Sequence, residues 1–110
     1  MSTYTYKNAR AALTGSYATV YTCPASTTAI VLSAHAANID GAADVTVSLQ
    51  WLDSSAANAA TRLGEPITVT VNSSYEALEA PKVLEAGDAF QAKAGDVSDI
   101  ELTLAIVEIS

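Results

Sequence analysis

Asp44–Trp51 reads DVTVSLQW, with Val45, Val47, Leu49 and Trp51 at alternate positions and Thr46, Ser48 and Gln50 between them. Apolar residues on a period of two share a face only when the backbone is extended, so the stretch predicts a half-buried strand. A sheet with one apolar face needs a second layer to cover it. The expected fold is therefore all-β: a single antiparallel β-sandwich, jelly-roll-like or Ig-like, of about eight strands.

The same alternation extends outward from this strand. Thr28–Asn38 is the next long run, and its even row Ile30, Leu32, Ala34 and Ala36 reads as core, with the small pair leaving room for Trp51 opposite. Asp40-Gly41 lies between the two runs, and Asp-Gly is a hairpin signal because both residues tolerate positive φ. Segments 28–38 and 43–52 are accordingly expected to pair antiparallel. Asp53–Asn58 reads as a hairpin excursion in which Asp53 is able to cap a helical turn, and Gly64-Glu65-Pro66 reads as a break. Ile67, Val69 and Val71 define another strand, Asn72-Ser73-Ser74 a turn, and Tyr75–Leu78 a short strand. Val83 and Leu84 add core, and Glu85–Asp88 is a tight turn. Phe90 and Ala92 alternate with Gln91 and Lys93 before Gly95-Asp96 ends the run, and Ile100, Leu102, Leu104 and Ile106 form the last apolar row.

Toward the N-terminus, Tyr17–Thr22 (YATVYT) is strand-like and is stopped by Cys23-Pro24. Ala11–Leu13 begins core structure. Residues 1–12, with Tyr4 and Tyr6 alternating with threonines, read as an N-terminal arm or an edge strand ahead of a sandwich spanning 13–110. The opening MSTYTYKNAR has no apolar core of a secretory signal, and no apolar run reaches the length of a membrane span, so no membrane role is expected.

Composition narrows the function classes. The net charge is −7, and the five basic residues Lys7, Arg10, Arg62, Lys82 and Lys93 are scattered, which argues against nucleic acid as a partner. Charged residues are 15% of the chain against about 25% ordinarily. Much of the 50% hydrophobic content is alanine. Such a smooth surface suits packing against copies of itself or a larger assembly.

No pattern specifies chemistry. The single histidine, His35, and the single cysteine, Cys23, would have to meet to make a nucleophile and base, and neither has metal-ligand spacing. Asp40, Asp44 and Asp53 lack the order of a calcium loop. Glu76, Glu79 and Glu85 lack the cleft a glycosidase pair needs. No catalytic residue, metal ligand or cofactor is expected. Tyr4, Tyr6, Cys23 and His35 are the candidate interface residues, and Cys23 is also open to an interchain disulfide. A carbohydrate- or receptor-binding module would instead require Trp51 as an exposed platform.

Three segments, SYATVYTCPASTTAIVLSAHAANIDG (16–41), ADVTVSLQWLDSS (43–55) and ALEAPKVLEAGDAFQAKAGDVSDIELTLAIVEIS (77–110), together resemble small virion structural proteins of tailed bacteriophages. The resemblance spans about residues 13–110. It implies a non-enzymatic subunit, most readily a capsid decoration protein that binds and stabilises the head lattice, with a neck, collar or tail position as the alternative. The implied partners are major capsid or neck and tail subunits and further copies of the chain. The implied location is the virion, after assembly in the host cytoplasm.

Overall fold

The computed structural model describes residues 2–95 and 99–110, so Asp96, the second residue of the expected Gly95-Asp96 turn, lies outside the described residues. Nine strands are described: β1 Tyr4–Ala12, β2 Ala18–Thr22, β3 Thr28–Asn38, β4 Val45–Asp53, β5 Ala59–Val69, β6 Ser74–Glu76, β7 Lys82–Leu84, β8 Ala89–Ala94 and β9 Ile100–Ile109. They form two antiparallel sheets. One is five-stranded, in the order β1-β9-β3-β6 with β7 also on β3; the other is four-stranded, in the order β2-β8-β4-β5.

The pairing is that of one long ribbon rolled on itself. β4 pairs β5, β3 pairs both β6 and β7, β2 pairs β8, and β1 pairs β9. Rolling then adds β9 to β3 and β8 to β4. With β6 and β7 taken as one interrupted strand, this is the eight-stranded wrap of a jelly roll.

The core lies between the sheets. Val45, Val47 and Leu49 from β4, Phe90 and Ala92 from β8, and Ile100, Leu102, Leu104 and Ile106 from β9 are all buried there. Each set falls on one parity of its strand, as the period-two pattern requires. Trp51 continues the β4 row opposite Phe90, but it is only half-buried and packs on the margin of the core.

Three expectations need correction. First, β3 and β4 do not pair; they belong to opposite sheets. Neither Asp40 nor Gly41 takes a positive φ. Residues 39–44 instead cross between the sheets, held by buried Asn38, whose Nδ2 donates to Ala43 O (3.0 Å) and Val69 O (2.9 Å). Because Val69 pairs with Val45, this end of β3 lies over the start of β4, and Trp51 sits at the far end.

Second, the even row of β3 is not continuous core. Ala29 and Val31 are buried and so are Ala34 and Ala36, whereas Ile30 is half-buried and Leu32 is exposed. The register with β9 shifts between Val31 and Ser33, so Leu32 is an unpaired bulge residue. One extra residue reverses the inward parity from odd to even.

Third, Gly64-Glu65-Pro66 does not end a strand. β5 runs through it, with register shifts against β4 between Val47 and Leu49 and between Leu49 and Gln50. Val83 is exposed, and only Leu84 joins the core. The β4–β5 connection is a hairpin that holds a 3₁₀ turn, Ser54–Ala56, capped by the Asp53 side chain.

Candidate functional site

Cross-strand partners share a face, so the register defines what the five-stranded sheet shows to solvent. Its outer face has Tyr4 beside Ile109 and Thr28, then Tyr6, Val107, Ile30 and Val83 in one row. Farther along, Asn8, Ala105 and Ser33 form a row, followed by Arg10, Thr103, His35 and Glu76. One end of the face is therefore aromatic and aliphatic, and the other is polar. Tyr6 is 80% exposed, Tyr4 64%, Val83 59% and the bulge residue Leu32 42%.

The outer face of the four-stranded sheet is chemically different. Gln50 Nε2 donates to Gln91 Oε1 (2.7 Å), and Gln91 Nε2 donates to Thr19 Oγ1 (3.0 Å). Beside this chain the Lys93 ammonium lies 4.8 Å from the centre of the Tyr17 ring. Polar groups paired in this way offer little to a partner, whereas uncovered apolar area gains by burial.

Under the apolar end, three strands are tied together by polar side chains. Glu108 lies on the buried parity of β9; its Oε2 accepts from the Tyr21 hydroxyl (2.5 Å), and its Oε1 is 3.5 Å from Lys7 Nζ. Burial, then the bond to Glu108 and its negative charge, hold the Tyr21 hydroxyl pKa well above the ordinary value. The link joins β1 and β9 of one sheet to β2 of the other.

Of the predicted interface residues, Tyr4 and Tyr6 stand on the apolar end and His35 on the polar part of the same outer face. Cys23 is elsewhere. It is 1% exposed in the core, its Sγ donates to Thr27 O (3.3 Å), and burial pushes its thiol pKa up. Cys23 and His35 lie on opposite sides of the five-stranded sheet, so they do not form a nucleophile and base pair. The buried thiol presents nothing to a neighbouring chain.

Four of the carboxylates weighed for chemistry accept hydrogen bonds from backbone N–H groups. Glu76 Oε2 accepts from Ala34 N (2.7 Å) and Leu78 N (3.1 Å), filling the gap between β6 and β7. Asp40, Asp44 and Asp53 accept from Ala42 N, Val71 N and Ser55 N respectively. Among the described residues no group of three or more His, Cys, Asp or Glu side chains is placed to hold a metal.

Asp88, read from the sequence only as part of a turn, is a buried clamp at 2% exposure. Its Oδ1 accepts from Ser54 N (2.9 Å) and Ser54 Oγ (3.1 Å), and its Oδ2 from Glu85 N (2.9 Å). Burial alone would raise its pKa, but these hydrogen bonds outweigh it and hold the carboxyl below its ordinary value. Gly87 beside it takes φ +89°, and a Cβ there would stand 2.9 Å from Ser54 Oγ, so the clamp needs glycine at that position. Glu108 did carry a sequence signal, since it continues the Ile100–Ile106 parity into the core.

No protein-family model matches the chain, and no curated protein matches it. Solved structures are similar to it in fold, two of them as follows. A chain from the acid-stable capsid of Helicobacter pylori bacteriophage KHP30 aligns over 100% of this chain and 94% of its own, at TM-score 0.60 and 10% identity. A chain from Bacillus endospore appendages, a family of disulfide-linked pili, aligns over 98% of this chain and 86% of its own, at TM-score 0.58 and 14% identity. At these identities the likeness is one of architecture.

Proposed function

We propose that this chain is a non-enzymatic structural subunit of a tailed-phage particle, a decoration protein that binds the head lattice through the apolar end of the five-stranded sheet. The observation that carries the reading is that end itself: Tyr4, Tyr6, Leu32 and Val83 are uncovered on one face of an otherwise well-paired fold. The full-length architectural match to a phage capsid chain supports it.

The mechanism is mechanical. A partner of standard kind covers about 800 Å² per side, and the stabilisation comes from apolar area removed from water at about 25 cal/mol per Å². The row Tyr6, Val107, Ile30 and Val83 contains no charged side chain, so burying it incurs no charge-desolvation cost.

The test is location. The chain, labelled in purified particles, maps to the head lattice by electron microscopy, and Val83→Asp lowers its occupancy about tenfold or more by placing a charge in the buried row. Particles that contain none of the chain refute the virion reading. A signal confined to the neck or tail refutes decoration of the head.

A further inference from the structure

A sheet edge is a template for another strand, and folded proteins blunt their edges with short strands, bulges, proline or inward charge. Three of the four edges here are treated that way. β2 has five residues, a register shift between Thr19 and Tyr21, and Pro24 just beyond it. β5 carries Pro66 and two register shifts. β6 and β7 are three residues each, and the gap between them is plugged by the Glu76 carboxylate on Ala34 N. β1 differs: nine residues, paired in continuous register with β9, without proline, glycine or bulge. Its one inward charge, Lys7, is already matched by Glu108.

The hydrogen-bond parity shows what this edge offers. Thr3 and Ser110 exchange both backbone bonds, Thr3 N to Ser110 O (2.7 Å) and Ser110 N to Thr3 O (2.9 Å), and Leu13 N donates to Ile100 O (2.9 Å). In an antiparallel ladder bonded pairs recur every second residue, so Thr5, Lys7, Ala9 and Ala11 bond β9. Tyr4, Tyr6, Asn8, Arg10 and Ala12 therefore point both N–H and C=O away from the sheet.

We infer that this edge pairs with the β1 edge of a second copy, antiparallel about a two-fold axis through Asn8, so that the five-stranded sheets of both copies become one. The register follows from the side chains. Centred on Asn8, all nine residues overlap, Tyr6 faces Arg10 of the other copy, Tyr4 faces Ala12, and Lys7 faces Ala9. Aromatic–guanidinium pairs are favourable, and small residues stand opposite long ones. Centring on Lys7 would oppose two like charges, and centring on Ala9 would leave Tyr4 unpaired. About ten backbone hydrogen bonds form across the chosen register, two for each outward-facing pair. Self-pairing through one strand is an isologous contact and closes as a dimer.

The inference stands on the β1 edge and does not need the virion reading. If both hold, the two-fold is perpendicular to the joined sheet, so both apolar ends face the same way and bind as a bivalent unit.

The experiment is solution mass by light scattering across a wide dilution series. Wild type shows twice the chain mass at high concentration. Asn8→Pro deletes an outward N–H and none that bonds β9, so it shows the single-chain mass with an unchanged β circular-dichroism signal. A second pair of variants decides the matter if Asn8→Pro does not fold. Cα atoms in a bonded antiparallel pair are about 5.5 Å apart, within disulfide reach. Asn8→Cys therefore cross-links copies on oxidation, and Tyr6→Cys, which faces Arg10, does not. Wild type at single-chain mass throughout, Asn8→Pro folded at double mass, or equal cross-linking of both cysteine variants overturns the inference. A head-bound label with a monomeric chain would overturn this inference alone.

Discussion

Replacing Asp88 with alanine removes the carboxylate that joins the β7–β8 turn to the β4–β5 connection, and leaves between them the bond from Ser54 Oγ to Ala86 O (3.1 Å). Three bonds are lost, from Ser54 N, Ser54 Oγ and Glu85 N, all to an ionised acceptor. A buried N–H left unsatisfied costs about 1–3 kcal/mol. Ser54 and Glu85 are themselves exposed, so water reaches both groups and the lower half of that range applies to each. The expected loss is about 2–4 kcal/mol, or roughly 10–25 °C in Tm for a domain of this size. Urea and thermal melts followed by circular dichroism measure it. The pH dependence adds a sign. Because the folded-state pKa lies below the ordinary 3.8, the contribution is complete above that value and is lost as pH falls through the folded one. Asp88→Asn, which cannot ionise, should be about 1–2 kcal/mol less stable than wild type at neutral pH, with the gap narrowing in acid. A loss within about 0.5 kcal/mol for Asp88→Ala, or a gap to Asp88→Asn that is unchanged in acid, refutes the clamp.

Two further outcomes follow from the interior. Phe90 is fully buried between Tyr21 and Trp51 in the four-stranded sheet, so Phe90→Ala should cost about 3–5 kcal/mol in urea melts, and a smaller loss would mean the sheets close over the cavity. Tyr21 is held neutral in the folded state, so its contribution is complete below its ordinary pKa of 10.0 and fades as pH rises through the higher folded value. Alkaline melts should show Tyr21→Phe losing less stability with rising pH than wild type, and identical slopes would count against the Tyr21–Glu108 link.

How much of this was legible depended on whether a strand is regular. The large apolar residues of β4 from Val45 to Trp51 and of β9 from Ile100 to Ile106 keep one parity, so Val45–Leu49 and Ile100–Ile106 could be assigned to the interior by counting. β3 defeats counting because Leu32 is an extra residue against β9, and the bulge is stabilised from outside the strand by Glu76 on Ala34 N. The apolar end of the outer face was legible only in part. Tyr4 and Tyr6 stand out in the sequence, but the pattern of β3 points Ile30 and Leu32 inward, and the segment that holds Val83 is too short to show a period. Cys23 and His35 stood out by chemical rarity, which carries no information about which side of a sheet they occupy.

Period-two alternation determined that this chain is an all-β sandwich, because each strand's choice between inside and outside is made by its own side chains. Strand order is not a local property. Asp40-Gly41 suits a hairpin in isolation, yet Asn38 reaches the buried Val69 carbonyl of the other sheet only if the chain crosses, and contacts of that range are invisible to a local turn signal. The same holds for the β1 edge: nothing within Tyr4–Ala12 shows that the strand stands at the end of its sheet until the strand order is known.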